Sequence, residues 1–144
     1  MTDTPTSQVT EVAHNLRIAV NRTTRQLRAA GARKITLTQM SAMATIKEAG
    51  QLTLGELATR ERVQPPSMTR VIATLTDNGL VERISDPADG RQVLVSLTPE
   101  GREVLAEEGR TREAWLSQAL IDLTDAELKT LADASDIMMR LVGE

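Results

Sequence analysis

The segment that most constrains the fold of this 144-residue chain reads D-P-A-D-G-R-Q-V-L-V-S-L-T-P-E-G over residues 86–101. Residues 87–90 have the composition of a turn. After it, Val93, Val95 and Leu97 alternate with Gln92, Leu94 and Ser96, which is the period of a half-buried strand. The run Val81-Glu82-Arg83-Ile84 before the turn is also strand-like. The two runs therefore predict a β-hairpin with a loop longer than the tightest turns.

The rest of the chain has the apolar spacing and the end signals of helices. Capping-box patterns begin at Thr36, Thr53 and Thr124, each with Glu or Gln three residues later. Thr98-Pro99-Glu100 has an N-cap followed by Pro at the first helical position. The predicted helices run over residues 9–28, 36–49, 54–60, 65–78, 99–120 and 124–142. This order predicts a mainly α fold with a small β-hairpin.

The residue types exclude several kinds of chemistry. The chain has no Cys and one His, His14, which excludes disulfides, thiol nucleophiles and a zinc site made of several His. A hard-cation site of carboxylates and a hydrolase that uses carboxylates alone stay open, although no pattern indicates either. His14 has no neighbouring Ser or Asp pattern, so we predict no enzyme and no cofactor. No apolar run approaches the length of a membrane span and the N-terminus lacks signal-peptide features, which favours a soluble cytoplasmic protein.

Charge is unevenly distributed along the chain. The net charge is −3, which argues against a generally basic coat for nucleic acid. Residues 1–35 contain six bases and two acids, a net of +4, whereas residues 98–144 contain eleven acids and five bases, a net of −6. The acidic C-terminal part is therefore expected to face away from any polyanion that the chain binds. The basic face of the first helix is expected to be a solvated surface, with contact to DNA phosphate as the alternative.

Two short helices joined by a tight turn, followed by a hairpin, predict a winged helix-turn-helix over residues 36–98. The major groove of DNA admits one helix, and residues near its N-terminus reach the base edges. Arg91 in the hairpin loop is predicted to enter the minor groove, where the potential is most negative, and Asp89 to hold the Arg91 guanidinium by a bidentate contact. On the second helix the predicted DNA contacts are Gln64, Ser67, Thr69 and Arg70. Capping or backbone bonding stays open for the first three. The alternatives are a solvated helix arginine for Arg70, an exposed turn arginine for Arg91 and a plain turn aspartate for Asp89.

The hairpin also contains the pattern Asp-x-Arg, five residues, Leu-Thr, at Asp89, Arg91, Leu97 and Thr98. With N-G-L-V-E-R before it and T-P-E-G after it, this pattern resembles the wing of the MarR family of winged-helix transcription regulators. The resemblance extends over the element order of residues 9–142. It implies that Arg91 is the wing arginine and that Asp89 is its bracing acid. Many members have a second arginine at the position where this chain has Gly90.

The resemblance implies a two-fold homodimer held by the first and last helices. Residues 9–28 and 103–142 have apolar stripes that a small winged-helix domain need not bury, which independently favours dimerisation. Two recognition helices one DNA turn apart would read a pseudo-palindrome. The predicted organisation is a disordered lead over 1–8, an N-terminal dimerisation helix over 9–35, the DNA-binding domain over 36–98 and C-terminal dimerisation helices over 99–144.

The resemblance further implies a small-molecule site between the dimerisation helices and the winged domain, for phenolic or other lipophilic anions. Its candidate residues are His14, Arg17, Met40, Met43 and Trp115. The alternative is that the Met residues are core and that the lone His is structural. The whole pattern predicts a homodimeric, ligand-responsive repressor of transcription that binds double-stranded DNA. A winged-helix module for protein contacts, without specific DNA binding, is the alternative.

Overall fold

The structure is a computed structural model that describes residues 4–32 and 35–143. The described residues up to Arg112 form one compact unit, and those from Glu113 onward form a second. The helices are α1 (Thr4–Ala30), α2 (Leu37–Ala49), α3 (Leu54–Glu61), α4 (Pro65–Asp77), α5 (Pro99–Leu120) and α6 (Asp125–Val142). The strands are β1 (Leu52–Thr53), β2 (Val81–Ser85) and β3 (Val93–Leu97). The predicted mainly α fold with a small hairpin is confirmed.

Helix α1 begins earlier than the sequence predicted. Residues 1–8 were expected to be a disordered lead; residues 1–3 lie outside the described part, but α1 already begins at Thr4. Pro5 falls in the first turn, where its missing N–H has no intrahelical partner to lose. The prediction of disorder is therefore wrong for residues 4–8.

The hairpin is part of a three-stranded antiparallel sheet with the order β1-β3-β2. Its register pairs Val81 with Leu97 and Ser85 with Val93, which confirms the two strands expected from the alternation. Strand β1 was not predicted. It pairs Leu52 with Val95 on the other edge of β3, and its two residues are too few to show a period.

The core of the first unit is built from aliphatic side chains and methionines, because the chain has no Phe or Tyr. Met43, Met68 and Ile72 are fully enclosed, and Val95 of the central strand packs into the same cluster. Burying one such side chain contributes roughly 1.5–3 kcal/mol. This cluster contains side chains of α2, α3, α4 and the sheet, so the two short helices and the hairpin share one core.

Two of the three capping boxes predicted from the sequence are complete in the structure, and the third is only half formed. Thr36 and Thr124 form complete capping boxes. At Thr53 only half of the box exists: its hydroxyl accepts the N–H of Glu56 at 3.1 Å, without the reciprocal bond of a complete box. Thr53 is also the second residue of β1 and is paired with Leu94, so its backbone already takes part in the sheet.

The start of α5 packs closely against Gly79 and Leu80, which connect α4 to β2. The Thr98 hydroxyl donates to the Gly79 carbonyl at 2.6 Å and accepts the N–H of Gly101 at 3.0 Å. A β-carbon at Gly101 would lie only 2.0 Å from the carbonyl oxygen of Leu80. The contact of helix with backbone therefore requires glycine at this position, and it ties α5 to the turn before the hairpin.

Candidate nucleic-acid interface

The turn between α3 and α4 has one defined backbone conformation. Arg62 ends α3 with φ 53° and ψ 42°, the left-handed region, and its N–H donates to the Thr59 carbonyl at 3.2 Å. The next N–H, of Val63, donates to the Ala58 carbonyl at 3.0 Å, and the Val63 side chain packs against the core. The turn therefore fixes how α4 is presented, as a helix-turn-helix requires.

Helix α4 divides into a buried and an exposed face. Met68, Ile72 and Leu75 are buried, whereas Thr69 and Arg70 are exposed. Spacings of three and four residues place the buried side chains on one side, so the arginine points away from the core. The inward role of Met68 agrees with its place in the apolar stripe.

The other predicted contacts on α4 lie at its beginning. Gln64 is the N-cap by position and is exposed, but its side chain makes no capping bond. Ser67 is half-buried. The Thr69 hydroxyl donates to the Pro65 carbonyl at 3.0 Å, which is the backbone bonding that the sequence had left open for this residue. Its oxygen still has acceptor capacity toward an outside donor.

Sequence reasoning missed two residues on the exposed face of α4. Pro66 and Thr74 are exposed and lie four residues before and after Arg70, hence on its side of the helix. The Thr74 hydroxyl donates to the Arg70 carbonyl at 3.2 Å. Counting in steps of four from Arg70 would have found both.

The hairpin loop between β2 and β3 is ordered by two aspartates. Asp86 Oδ1 accepts the N–H of Ala88 at 2.8 Å, and Asp89 Oδ1 accepts the N–H of Arg91 at 3.1 Å. A further pair of backbone bonds joins Gln92 to both aspartates. The loop therefore holds the exposed Arg91 on a fixed backbone.

The brace at Asp89 differs from the one expected. We predicted a bidentate contact with the Arg91 guanidinium, but the carboxylate binds the backbone N–H instead. Within the described ranges the ion pairs are Glu108–Arg112 and Lys129–Asp133, so Asp89 does not pair with that guanidinium. An acid two residues before an N–H is placed for an Asx turn. The guanidinium is thus left available to a ligand.

Gly90 is not required by the loop geometry. Its φ lies outside the left-handed region, and a β-carbon there would meet no atom within 4 Å. A larger side chain therefore fits at this position without backbone strain.

Comparison with known proteins identifies the family. The sequence model of the MarR family matches residues 35–93, from two residues before α2 to the first residue of β3. The chain is 36% identical over 98 residues to the multiple antibiotic resistance protein MarR of Salmonella typhimurium, covering 67% of this chain and 68% of that protein. The chain belongs to the MarR family.

The similarity to other proteins extends over most of the chain. An uncharacterized HTH-type transcriptional regulator of Mycobacterium bovis is 46% identical over 134 residues, covering 92% of this chain and 94% of the relative. A MarR mutant from E. coli, solved in complex with operator DNA, has the same fold with a TM-score of 0.72 and 24% identity, covering 92% of this chain and 96% of that one.

Membership of the MarR family decides the broad function. The chain is a DNA-binding transcription regulator with a winged helix and is not an enzyme. Over residues 4–32 and 35–143, no group of three or more His, Asp or Glu side chains is placed to hold a metal ion. None of the helices in that part of the chain is long and apolar enough to cross a membrane.

The residues predicted to bind a small molecule have different surroundings. His14 and Arg17 are exposed on α1, and Met40 is half-buried at the start of α2. Met43 is fully enclosed in the core of the first unit, so its observed role is packing, the alternative noted from its helical spacing. Trp115, on the part of α5 that belongs to the second unit, is half-buried.

Proposed function

We propose that the chain is a repressor that binds a pseudo-palindromic operator as a homodimer. In this proposal α4 enters the major groove and the hairpin loop follows the adjacent minor groove. The observation that carries the proposal is the division of α4 into a core-facing side and an outward side with Arg70. The exposed Arg91 on its fixed loop backbone supports it.

Each exposed residue has a chemical role in this arrangement. The Arg70 guanidinium suits a bidentate contact with the O6 and N7 atoms of guanine, and Gln64 suits the N6 and N7 atoms of adenine. Ser67 and Thr69 can bond either a base edge or a phosphate. Arg91, extended from a narrow loop, suits a narrow minor groove.

The homodimer is supported by apolar side chains that the monomer leaves in water. On α1, Val9 is 68% exposed and Val12 is 56% exposed, and Leu16 and Val20 continue the same stripe. In the second unit, Leu141 of α6 is 72% exposed. Apolar stripes of this kind are typical of helices that pack against a partner, and a second copy of the chain supplies matching stripes.

We also propose that a small phenolic or lipophilic anionic ligand releases the DNA. Arg17 and His14 are three residues apart on α1 and exposed, so both are available to a carboxylate or phenolate. The half-buried Met40 and Trp115 offer apolar surface to a ring. As a regulator that acts on DNA, the protein is proposed to work in the cytoplasm.

Selection from a pool of random duplexes, followed by mobility shift on the selected site, tests the proposal. We expect a pseudo-palindromic site, bound by two chains and with strong salt dependence. Binding without sequence preference would contradict the proposal. Weak, salt-insensitive association would favour the alternative of a protein-interaction module.

A further inference from the structure

The first turn of α4 has few backbone donors to offer a phosphate. The N-terminus of a helix often binds phosphate through its free N–H groups. Here Pro65 and Pro66 have no N–H, and the next two N–H groups, of Ser67 and Met68, both donate to the Gln64 carbonyl, at 3.0 and 3.1 Å. If α4 enters the major groove, the flanking phosphates must be neutralised by side chains.

Two arginines, Arg60 and Arg62, come shortly before this helix start, and both are exposed. The acid between them, Glu61, is engaged elsewhere. Its carboxylate accepts the hydroxyls of Ser41 at 2.7 Å and Thr45 at 2.6 Å, both on α2. Among the described residues, neither guanidinium has a carboxylate oxygen within 4.0 Å. Two positive charges therefore stay unneutralised in the segment that immediately precedes α4.

The backbone conformation of Arg62 also points to a function of its side chain. Its φ of 53° makes it the only non-glycine residue with positive φ in the described ranges. In this conformation the β-carbon crowds the following carbonyl, which glycine avoids and asparagine tolerates better. Because glycine adopts this conformation more easily than arginine does, the presence of arginine is a reason to look for a function of its side chain.

We propose that Arg60 and Arg62 form a phosphate clamp that binds the phosphodiester backbone of DNA beside the groove entered by α4. The clamp sets the position of the protein on the duplex and does not read sequence, since phosphate contacts are alike for every base pair. This inference rests on the proposed function, because it assumes that α4 enters the major groove.

The test measures affinity against salt concentration by fluorescence anisotropy. It uses the selected operator and an unrelated duplex, with the full chain and the variants Arg60→Gln and Arg62→Gln. Arg62→Lys keeps the charge, and Arg110→Gln removes an exposed charge from α5 as a control. Each lost phosphate contact lowers the slope of log affinity against log salt by about 0.9. It also weakens binding at 0.15 M salt by on the order of fivefold per bound protomer.

We expect Arg60→Gln and Arg62→Gln to weaken binding to both duplexes by the same factor, with Arg62→Lys and Arg110→Gln close to wild type. An unchanged salt slope in both Gln variants would overturn the clamp, and so would a loss confined to the operator, which indicates base reading. Arg62→Gly, which glycine's freedom makes compatible with the turn, should bind as weakly as Arg62→Gln and still fold. If the wild-type chain binds no duplex, the proposed function fails, and the clamp fails with it.

Discussion

At the scale of single residues, two glycines of α5 differ in the space available for a side chain. A β-carbon at Gly101 would lie 2.0 Å from the Leu80 carbonyl oxygen, whereas one at Gly109 would meet nothing within 4 Å. The first position joins α5 to the turn that precedes the hairpin, and the second is an ordinary place in a helix. Replacing each glycine with alanine therefore measures the cost of close packing at residue 101 and the gain in helix propensity at residue 109.

We predict that Gly101→Ala lowers the free energy of unfolding by about 1–3 kcal/mol or more, because rigid backbone must move to admit the methyl group. Gly109→Ala should raise it by roughly 0.5–1 kcal/mol, since alanine loses less entropy in a helix. Chemical denaturation followed by circular dichroism measures both. Equal effects at the two positions would contradict the packing at Leu80.

The hairpin loop has room for a second cation. Gly90 has an ordinary φ and open space around its Cα, and it precedes the proposed minor-groove residue Arg91. We predict that Gly90→Arg folds normally and tightens DNA binding, steepening the salt slope by about 0.9 for each bound protomer. Gly90→Gln is the uncharged control, and anisotropy titration over a range of salt is the measurement. An unchanged slope in Gly90→Arg would place the loop away from DNA.

At the scale of elements, a buried arginine links α5 to the end of α1. The Arg112 guanidinium donates to the carbonyls of Leu27 and Ile35, both at 3.1 Å, and lies 3.7 Å from the Glu108 carboxylate. Gly31 leaves room for it, since a β-carbon there would lie 2.8 Å from Arg112 Nη2. A cation at the last carbonyls of a helix also suits the helix dipole. Arg112 therefore links α5 to the last turn of α1 and to Ile35.

We predict that Arg112→Met lowers the free energy of unfolding by about 3–5 kcal/mol, because it removes the cation beside the buried Glu108 and the donor to two carbonyls. Lys129→Met breaks the exposed Lys129–Asp133 pair and should change stability little. Denaturant titration gives both values. A small loss in Arg112→Met would mean that the link does not hold α1.

Elements with a repeated pattern or a capping signal were predictable from the sequence. The hairpin strands and the helices of the winged domain follow from apolar periods and from end signals such as Pro65. Strand β1 was missed because two residues show no period, and the early start of α1 was missed because Thr and Ser at its beginning carry no apolar stripe. The outward side of α4, with Arg70, followed from the position of its apolar residues.

Contacts between side chains were less predictable than elements. Asp89 accepts the backbone N–H of Arg91 and does not bind its guanidinium. The spacing of the two residues allows both contacts, so the sequence alone does not tell which one forms. Glu108 and Arg112 are four residues apart on α5, a spacing that in a sequence indicates an exposed ion pair on a helix surface. In the structure this pair is buried. Its burial depends on α1, which is distant in sequence.

At the scale of the whole molecule, the proposed dimer accounts for the apolar side chains that one chain leaves in water. We predict that Val12→Asp dissociates the dimer, because a carboxylate buried in an apolar interface costs several kcal/mol. Ser7→Asp puts the same charge on the other side of α1 and should leave the dimer intact. Sedimentation velocity over a range of concentrations measures the mass. A wild-type chain that stays monomeric at every concentration would contradict the dimer.

Sequence-specific DNA recognition through Arg70 and Arg91 is the central claim. Its most direct test is the affinity of wild type and of the Arg70→Ala, Arg91→Ala double variant for the selected operator and for unrelated DNA at fixed salt. We predict that wild type prefers the operator by about 10³-fold or more. The double variant should lose most of this preference, since one bidentate base contact is worth about 1–3 kcal/mol. An unchanged preference in the double variant would contradict the claim.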